Sequence, residues 1–154
     1  MKPNSMNKTF ETFMEDSSNR FALAACKSIL NNGETFNPLT IYGPSSLGKT
    51  HLLMAIKRSA ETACPGKKTG YFAVEELVYD YLQKIRDDHT SYYRLGEECL
   101  KYDIVLFDGV EELVGKSATQ EEFFFLINRL EDHGKKVVMA CSVPPRTSQS
   151  FMEN

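Results

Sequence analysis

The stretch Gly43-Pro44-Ser45-Ser46-Leu47-Gly48-Lys49-Thr50 decides how the rest of the chain is read, because it fits the pattern GxxxxGK[ST] at every fixed position. Before it lies the short apolar run Leu39-Thr40-Ile41-Tyr42. After it, Leu52, Leu53, Ile56 and Ala60 recur on one helical face. Strand, loop and helix are the context that a phosphate-binding loop needs. Glycines at 43 and 48 let the backbone bend until successive N–H groups point inward at phosphate oxygens, and the loop ends on the positive end of a helix. Lys49 would then reach the β and γ phosphates, and the Thr50 hydroxyl would meet Mg²⁺. Without those flanks the same residues would be a glycine turn ahead of an ordinary helix.

The remainder of the composition agrees with a single soluble nucleotide-binding domain. The 154 residues are 42% apolar and 25% charged, with a net charge of -3. No apolar run is long enough to cross a bilayer, and Met1 to Asn7 lack the hydrophobic stretch of a secretory signal, so a cytoplasmic protein is expected. Cys26, Cys64, Cys99 and Cys141 are scattered without metal-like spacing and read as reduced thiols. The acidic balance argues against a broad basic face for nucleic acid, leaving room only for local Lys or Arg contacts.

Along the chain, Ser18-Asn19 caps a helical pattern carrying Phe21, Ala24, Ala25, Ser28 and Ile29, which ends at Gly33. Gly70 to Val74 is predicted as a second strand. The helix after it has Glu75 and Glu76 at its positive end and Leu77, Val78, Tyr81, Leu82 and Ile85 at helical spacing. A short helix with Tyr92, Tyr93 and Leu100 is expected next. Ile104-Val105-Leu106-Phe107-Asp108 then reads as a buried parallel strand whose final acid opens onto a site, where it would hold Mg²⁺. Thr119-Gln120-Glu121-Glu122 reads as a capping box ahead of a helix through Phe123, Phe124, Ile127 and Leu130 to Gly134. Val137 to Cys141 is the fourth strand. Strands alternating with helices predict a three-layer α/β P-loop fold, a parallel sheet with helices on both faces.

Several of these segments resemble the ATPase domain of the bacterial replication initiator DnaA, a member of the AAA+ class. They are Phe10 to Phe13 with Ser18-Asn19-Arg20-Phe21-Ala22; Asn37 to Gly43 with Gly48-Lys49-Thr50-His51-Leu52; Gln120 to Phe124 with Asn128 and Leu130; and Pro144-Pro145. The resemblance implies a module of residues 9–145 between an N-terminal tail, 1–8, and a C-terminal tail, 146–154. It would bind ATP or ADP with Mg²⁺ through Gly43 to His51, with Met14 packed against the base. It would assemble with its own kind or with a full-length initiator. The resemblance also leads to the expectation that the fifth strand and helical lid of a complete AAA+ domain are missing, since the nine residues after Pro145 show no apolar periodicity.

Departures from the family pattern sharpen the expectation about chemistry. The family carries two acids at the end of the third strand, one for Mg²⁺ and one to activate water, whereas this chain has Asp108 and then Gly109. Glu111 and Glu112 lie two and three positions further along, and reaching the site from there would need an unusual backbone path. The family's sensor acid falls on Ser142, which can hydrogen-bond but carries no charge. Of the positions that touch single-stranded DNA in the family, Leu82 and Lys116 match and Ala118 does not. Leu82 as core and Lys116 as a solvated lysine are the preferred readings. The sequence therefore predicts an ATP- and Mg²⁺-binding domain with weak or absent hydrolysis, acting in initiation or regulation of DNA replication. Two rivals remain: a non-hydrolysing regulatory module that binds an initiator or helicase, and a small-molecule kinase, which would need arginines to clamp a second phosphorylated substrate.

Overall fold

The computed structural model describes residues 38–43, 48–88 and 94–142. They form β1 (Leu39–Tyr42), α1 (Lys49–Ala63), β2 (Thr69–Ala73), α2 (Val74–Asp88), a 3₁₀ turn (Glu97–Lys101), β3 (Ile104–Asp108), a second 3₁₀ turn (Val110–Leu113), α3 (Ser117–Asp132) and β4 (Lys136–Cys141). The four strands make one parallel sheet in the order β1-β4-β3-β2. The expected parallel α/β sheet is present. The helix expected over Ser18 to Gly33, together with Tyr92, Tyr93 and Pro144-Pro145, lies outside the described residues.

Two core clusters show why the sheet has helices on both faces. Successive side chains of a strand point to opposite faces. Ile104 and Leu106 of β3 with Val138 and Ala140 of β4 meet Leu52, Leu53, Ile56 and Ala60 of α1 on one side. Val105 and Phe107 with Val137 and Met139 meet Leu77 and Val78 of α2, and Phe123, Leu126, Ile127 and Leu130 of α3, on the other. The distribution follows from the order of the strands. From β1 the chain crosses to the far edge at β2, then steps back through β3 to β4. Right-handed crossovers taken in opposite directions place their helices on opposite faces. Phe107 packs edge-on against Phe123, with ring centroids 5.1 Å apart, tying the sheet to α3.

Four local details differ from the expectations. The second strand begins and ends one residue early, because Val74 already belongs to α2 and is buried in the core. The short helix before the third strand is a 3₁₀ turn over Glu97 to Lys101, entered through left-handed Gly96 (φ 68°). No capping box forms at α3, which starts at Ser117 after left-handed Gly115 and leaves Thr119 buried inside the first turn. Glu122 is drawn instead into tertiary contacts, accepting from Tyr81 Oη at 3.3 Å and Arg94 Nη1 at 3.2 Å. Leu82, preferred as core, is 46% exposed on the outer side of α2, near exposed Tyr79 one turn back. It shares the spacing of the core residues but falls at the edge of the apolar stripe.

The start of α3 is held by a side chain of a different kind. Buried Gln120 donates its amide to the Leu113 carbonyl at 2.5 Å, closing the turn between the second 3₁₀ segment and the helix. Gln120→Ala removes this buried hydrogen bond while the Leu113 carbonyl keeps the Lys116 N–H at 3.1 Å, and is expected to cost about 0.5–1.5 kcal/mol. Leu82→Ala should change stability by no more than about 0.5 kcal/mol. Urea unfolding midpoints at constant slope measure both.

Candidate nucleotide site

The C-terminal ends of β1, β3 and β4 converge where α1 begins. Gly43 opens the loop with its N–H on the Cys141 carbonyl at 3.3 Å, so the start of the loop is tied to the end of β4. Pro44, Ser45, Ser46, Leu47 and Met14 lie outside the described residues. The chain re-enters at Gly48, whose left-handed backbone (φ 76°) suits glycine, and the Gly48 carbonyl accepts the first helical bond from Leu52 at 3.0 Å. Lys49 follows as the first residue of α1. Its side chain is only 6% exposed and its ammonium donates to the Gly43 carbonyl across the mouth of the loop.

Thr50 is the next residue, and its hydroxyl donates to Asp108 Oδ2 at 2.7 Å. The same carboxylate oxygen accepts the Tyr71 hydroxyl at 2.5 Å. The sequence pattern marks Tyr71 only as a strand residue. The register explains its arrival: Ala73 pairs with Asp108 and Tyr71 with Leu106, so period-two alternation puts the tyrosine on the face toward which the acid points. An alternation count through β2 would have flagged it. Burial, and then the hydrogen bond to Asp108, push the Tyr71 hydroxyl well above its ordinary pKa, so it remains a donor.

Beyond Asp108 the backbone makes the turn that looked unusual in sequence. Gly109 is left-handed (φ 82°) and donates its N–H to the Ala140 carbonyl at 3.1 Å. The 3₁₀ turn that follows closes through Glu112 N–H on the Gly109 carbonyl, also at 3.1 Å. This folds Glu111 back over the strand ends, where Oε1 accepts the Ser142 N–H at 2.9 Å. Burial lowers the Lys49 pKa, while the negative charges of Glu111 and then Asp108 oppose that loss. Glu112 diverges to the outside, 3.9 Å from the exposed Lys116 ammonium.

These residues fit a magnesium–nucleotide complex by the chemistry of their donors. A hydroxyl and a carboxylate 2.7 Å apart are hard oxygen ligands of the kind Mg²⁺ takes, and a part-buried ammonium at the loop mouth suits phosphate oxygens. His51, the residue after Thr50, lies within α1 and is half-buried. Leu82 and Lys116 stand on α2 and just ahead of α3, outside this cluster of Lys49, Thr50, Tyr71, Asp108 and Glu111.

The parallel sheet, the loop-to-helix junction and the Lys49–Thr50–Asp108 grouping define a P-loop domain of the AAA+ type. The chain belongs to the bacterial DnaA ATPase domain family, whose model matches residues 5–154. It is 40% identical over 143 residues to the chromosomal replication initiator protein DnaA of Clavibacter sepedonicus, covering 92% of this chain and 30% of that protein. Domain III of the Thermotoga maritima replication initiation protein DnaA superposes with a TM-score of 0.80 at 31% identity, covering 97% of this chain and 65% of that one. A replication initiator DnaA bound to AMPPCP and single-stranded DNA gives a TM-score of 0.77 at 29% identity, covering 94% of this chain and 47% of that one. The chain thus spans about a third of the length of the curated relative.

The shared Asp108 oxygen generates a prediction. Tyr71→Phe removes a charge-assisted hydrogen bond, a contact in the range of about 1.5–3 kcal/mol, and leaves the ring packed against the sheet. ATP affinity measured by calorimetry should fall by about tenfold with Mg²⁺ and stay unchanged in EDTA.

Proposed function

We propose that residues 9–145 form an ATP-binding, Mg²⁺-dependent module that acts in the initiation or regulation of DNA replication in the cytoplasm and hydrolyses ATP slowly. The observation that carries this reading is the convergence of Lys49, Thr50 and Asp108 at the end of the sheet, in a chain of the DnaA ATPase family. Lys49 neutralises and orients the phosphates, and the backbone of Gly43 to Gly48 supplies N–H donors around them. Thr50 and Asp108 hold the magnesium ion, which supplies charge neutralisation at the β and γ oxygens when bound. Slow turnover follows from Gly109, which brings no side chain next to Asp108, and from Ser142, which brings no charge.

Mg²⁺-ATP should raise the melting temperature of the chain. At a ligand concentration one hundred times Kd the stabilisation is about 2.7 kcal/mol, or about 5–10 °C for a domain of this size. Lys49→Ala should remove the shift. Absence of any shift for the wild-type chain at millimolar ATP would sink the nucleotide reading.

The same proposal includes contact with single-stranded nucleic acid. The relative bound to single-stranded DNA, together with the exposure of Leu82 and Lys116, supports binding of single strands by apolar contact and one or two phosphate contacts. With a net charge of -3, that binding should be weak and fall steeply with salt, without duplex sequence preference. Fluorescence anisotropy with labelled oligonucleotides tests it, and sequence-specific duplex binding at physiological salt would overturn it. The second reading is a regulatory module that engages a full-length initiator or a helicase without turnover. The bare Gly109 position favours it, and hydrolysis measured in a single turnover separates the two.

A further inference from the structure

We propose that Glu111 supplies the carboxylate that position 109 lacks and acts as the general base in the slow hydrolysis of ATP. The inference rests on the nucleotide reading above and names the residue that would carry its chemistry. Three features of the backbone and side chains lead to it. Left-handed Gly109 and the one-turn 3₁₀ segment reverse the chain directly after β3, so that residue 111 returns to the ends of the strands. Once returned, Glu111 Oε2 lies 3.7 Å from the point a Cβ on Gly109 would occupy, so its carboxylate fills the neighbourhood of the missing side chain. Oε1 is pinned by the Ser142 N–H at 2.9 Å, which fixes the carboxylate between the ends of β3 and β4.

The charges agree with that placement. The negative charge of Glu111, ahead of that of Asp108, opposes the loss of charge that burial imposes on Lys49. Glu112 provides the contrast, since one position further round the turn its carboxylate points to exposed Lys116. The step balances with water and ATP alone. Water oxygen forms a bond to the γ phosphorus, and its proton passes to Glu111. The bond from the γ phosphorus to the bridging oxygen breaks, and ADP leaves with the electron pair. The proton on Glu111 is later released to solvent.

The test uses the 154-residue chain and three of its forms: wild type, Glu111→Gln and Glu112→Gln. Glutamine retains an acceptor for the Ser142 N–H, so the turn should persist, and thermal melting of each form checks it. Single-turnover hydrolysis of Mg²⁺-ATP should fall by about 10²-fold or more in Glu111→Gln and remain unchanged in Glu112→Gln. Loss of a negative charge facing the γ phosphate should also raise ATP affinity relative to ADP in Glu111→Gln, a calorimetric readout that a purely structural role would not move. Wild-type turnover at the uncatalysed rate despite ATP binding would overturn the proposal, as would Glu111→Gln turning over like wild type. Failure of the wild-type chain to bind ATP would strike the nucleotide reading itself and is seen separately, as the missing thermal shift.

Discussion

The structure depends on the pairing of β3 with β4, two apolar strands buried on both faces. Ile104 to Phe107 and Val137 to Cys141 are nearly excluded from solvent, and their register runs from Ile104 opposite Lys136 to Asp108 opposite Ala140. Strands of this kind are stable only where helices cover both sides, which demands the three-layer arrangement. The same pairing sets the functional end of the molecule. Asp108 is the first residue of β3 to leave the apolar run, so it emerges where the sheet opens toward the loop.

Around that opening, polar groups are taken from water and given partners. Lys49 is nearly buried, and desolvation works against its charge. The Gly43 carbonyl and the carboxylates of Glu111 and Asp108 compensate. Asp108 receives two hydroxyls on one oxygen, from Thr50 at the head of α1 and Tyr71 in β2. These contacts join α1, β2 and β3, and the bond from Ser142 N–H to Glu111 joins β4 to the turn after β3. An end of the sheet that would otherwise hold isolated polar groups thus gives each of them a partner.

Much of this was legible in the sequence because it is local. The loop pattern, the apolar runs and the helical spacing after each strand depend on residues within a few positions of one another, and they located four strands and three of the helices within a residue or two. Glycine punctuation was equally readable, as at Gly134, whose left-handed backbone (φ 73°) follows α3. The misreadings share another origin. Leu82 obeys the period of the apolar stripe but sits at its rim, and the Thr119–Glu122 pair matches a capping signature two residues inside a helix that started earlier. For Glu122, the local signal competed with tertiary contacts that the sequence does not display, from Arg94 and Tyr81.

The sequence by itself determined the class of fold, the strand–loop–helix junction at Gly43 to Thr50 and the choice of Thr50 and Asp108 as residues to look for together, since each follows from short-range pattern. Tertiary structure alone decided which further side chains join them. Tyr71 arrives through strand register, and Glu111 through a left-handed glycine, a single 3₁₀ turn and an N–H donor 31 residues away. The physical reason is one of range. Backbone propensity and hydrophobic periodicity act over one or two turns of chain, whereas the position of a carboxylate depends on where a distant strand happens to end.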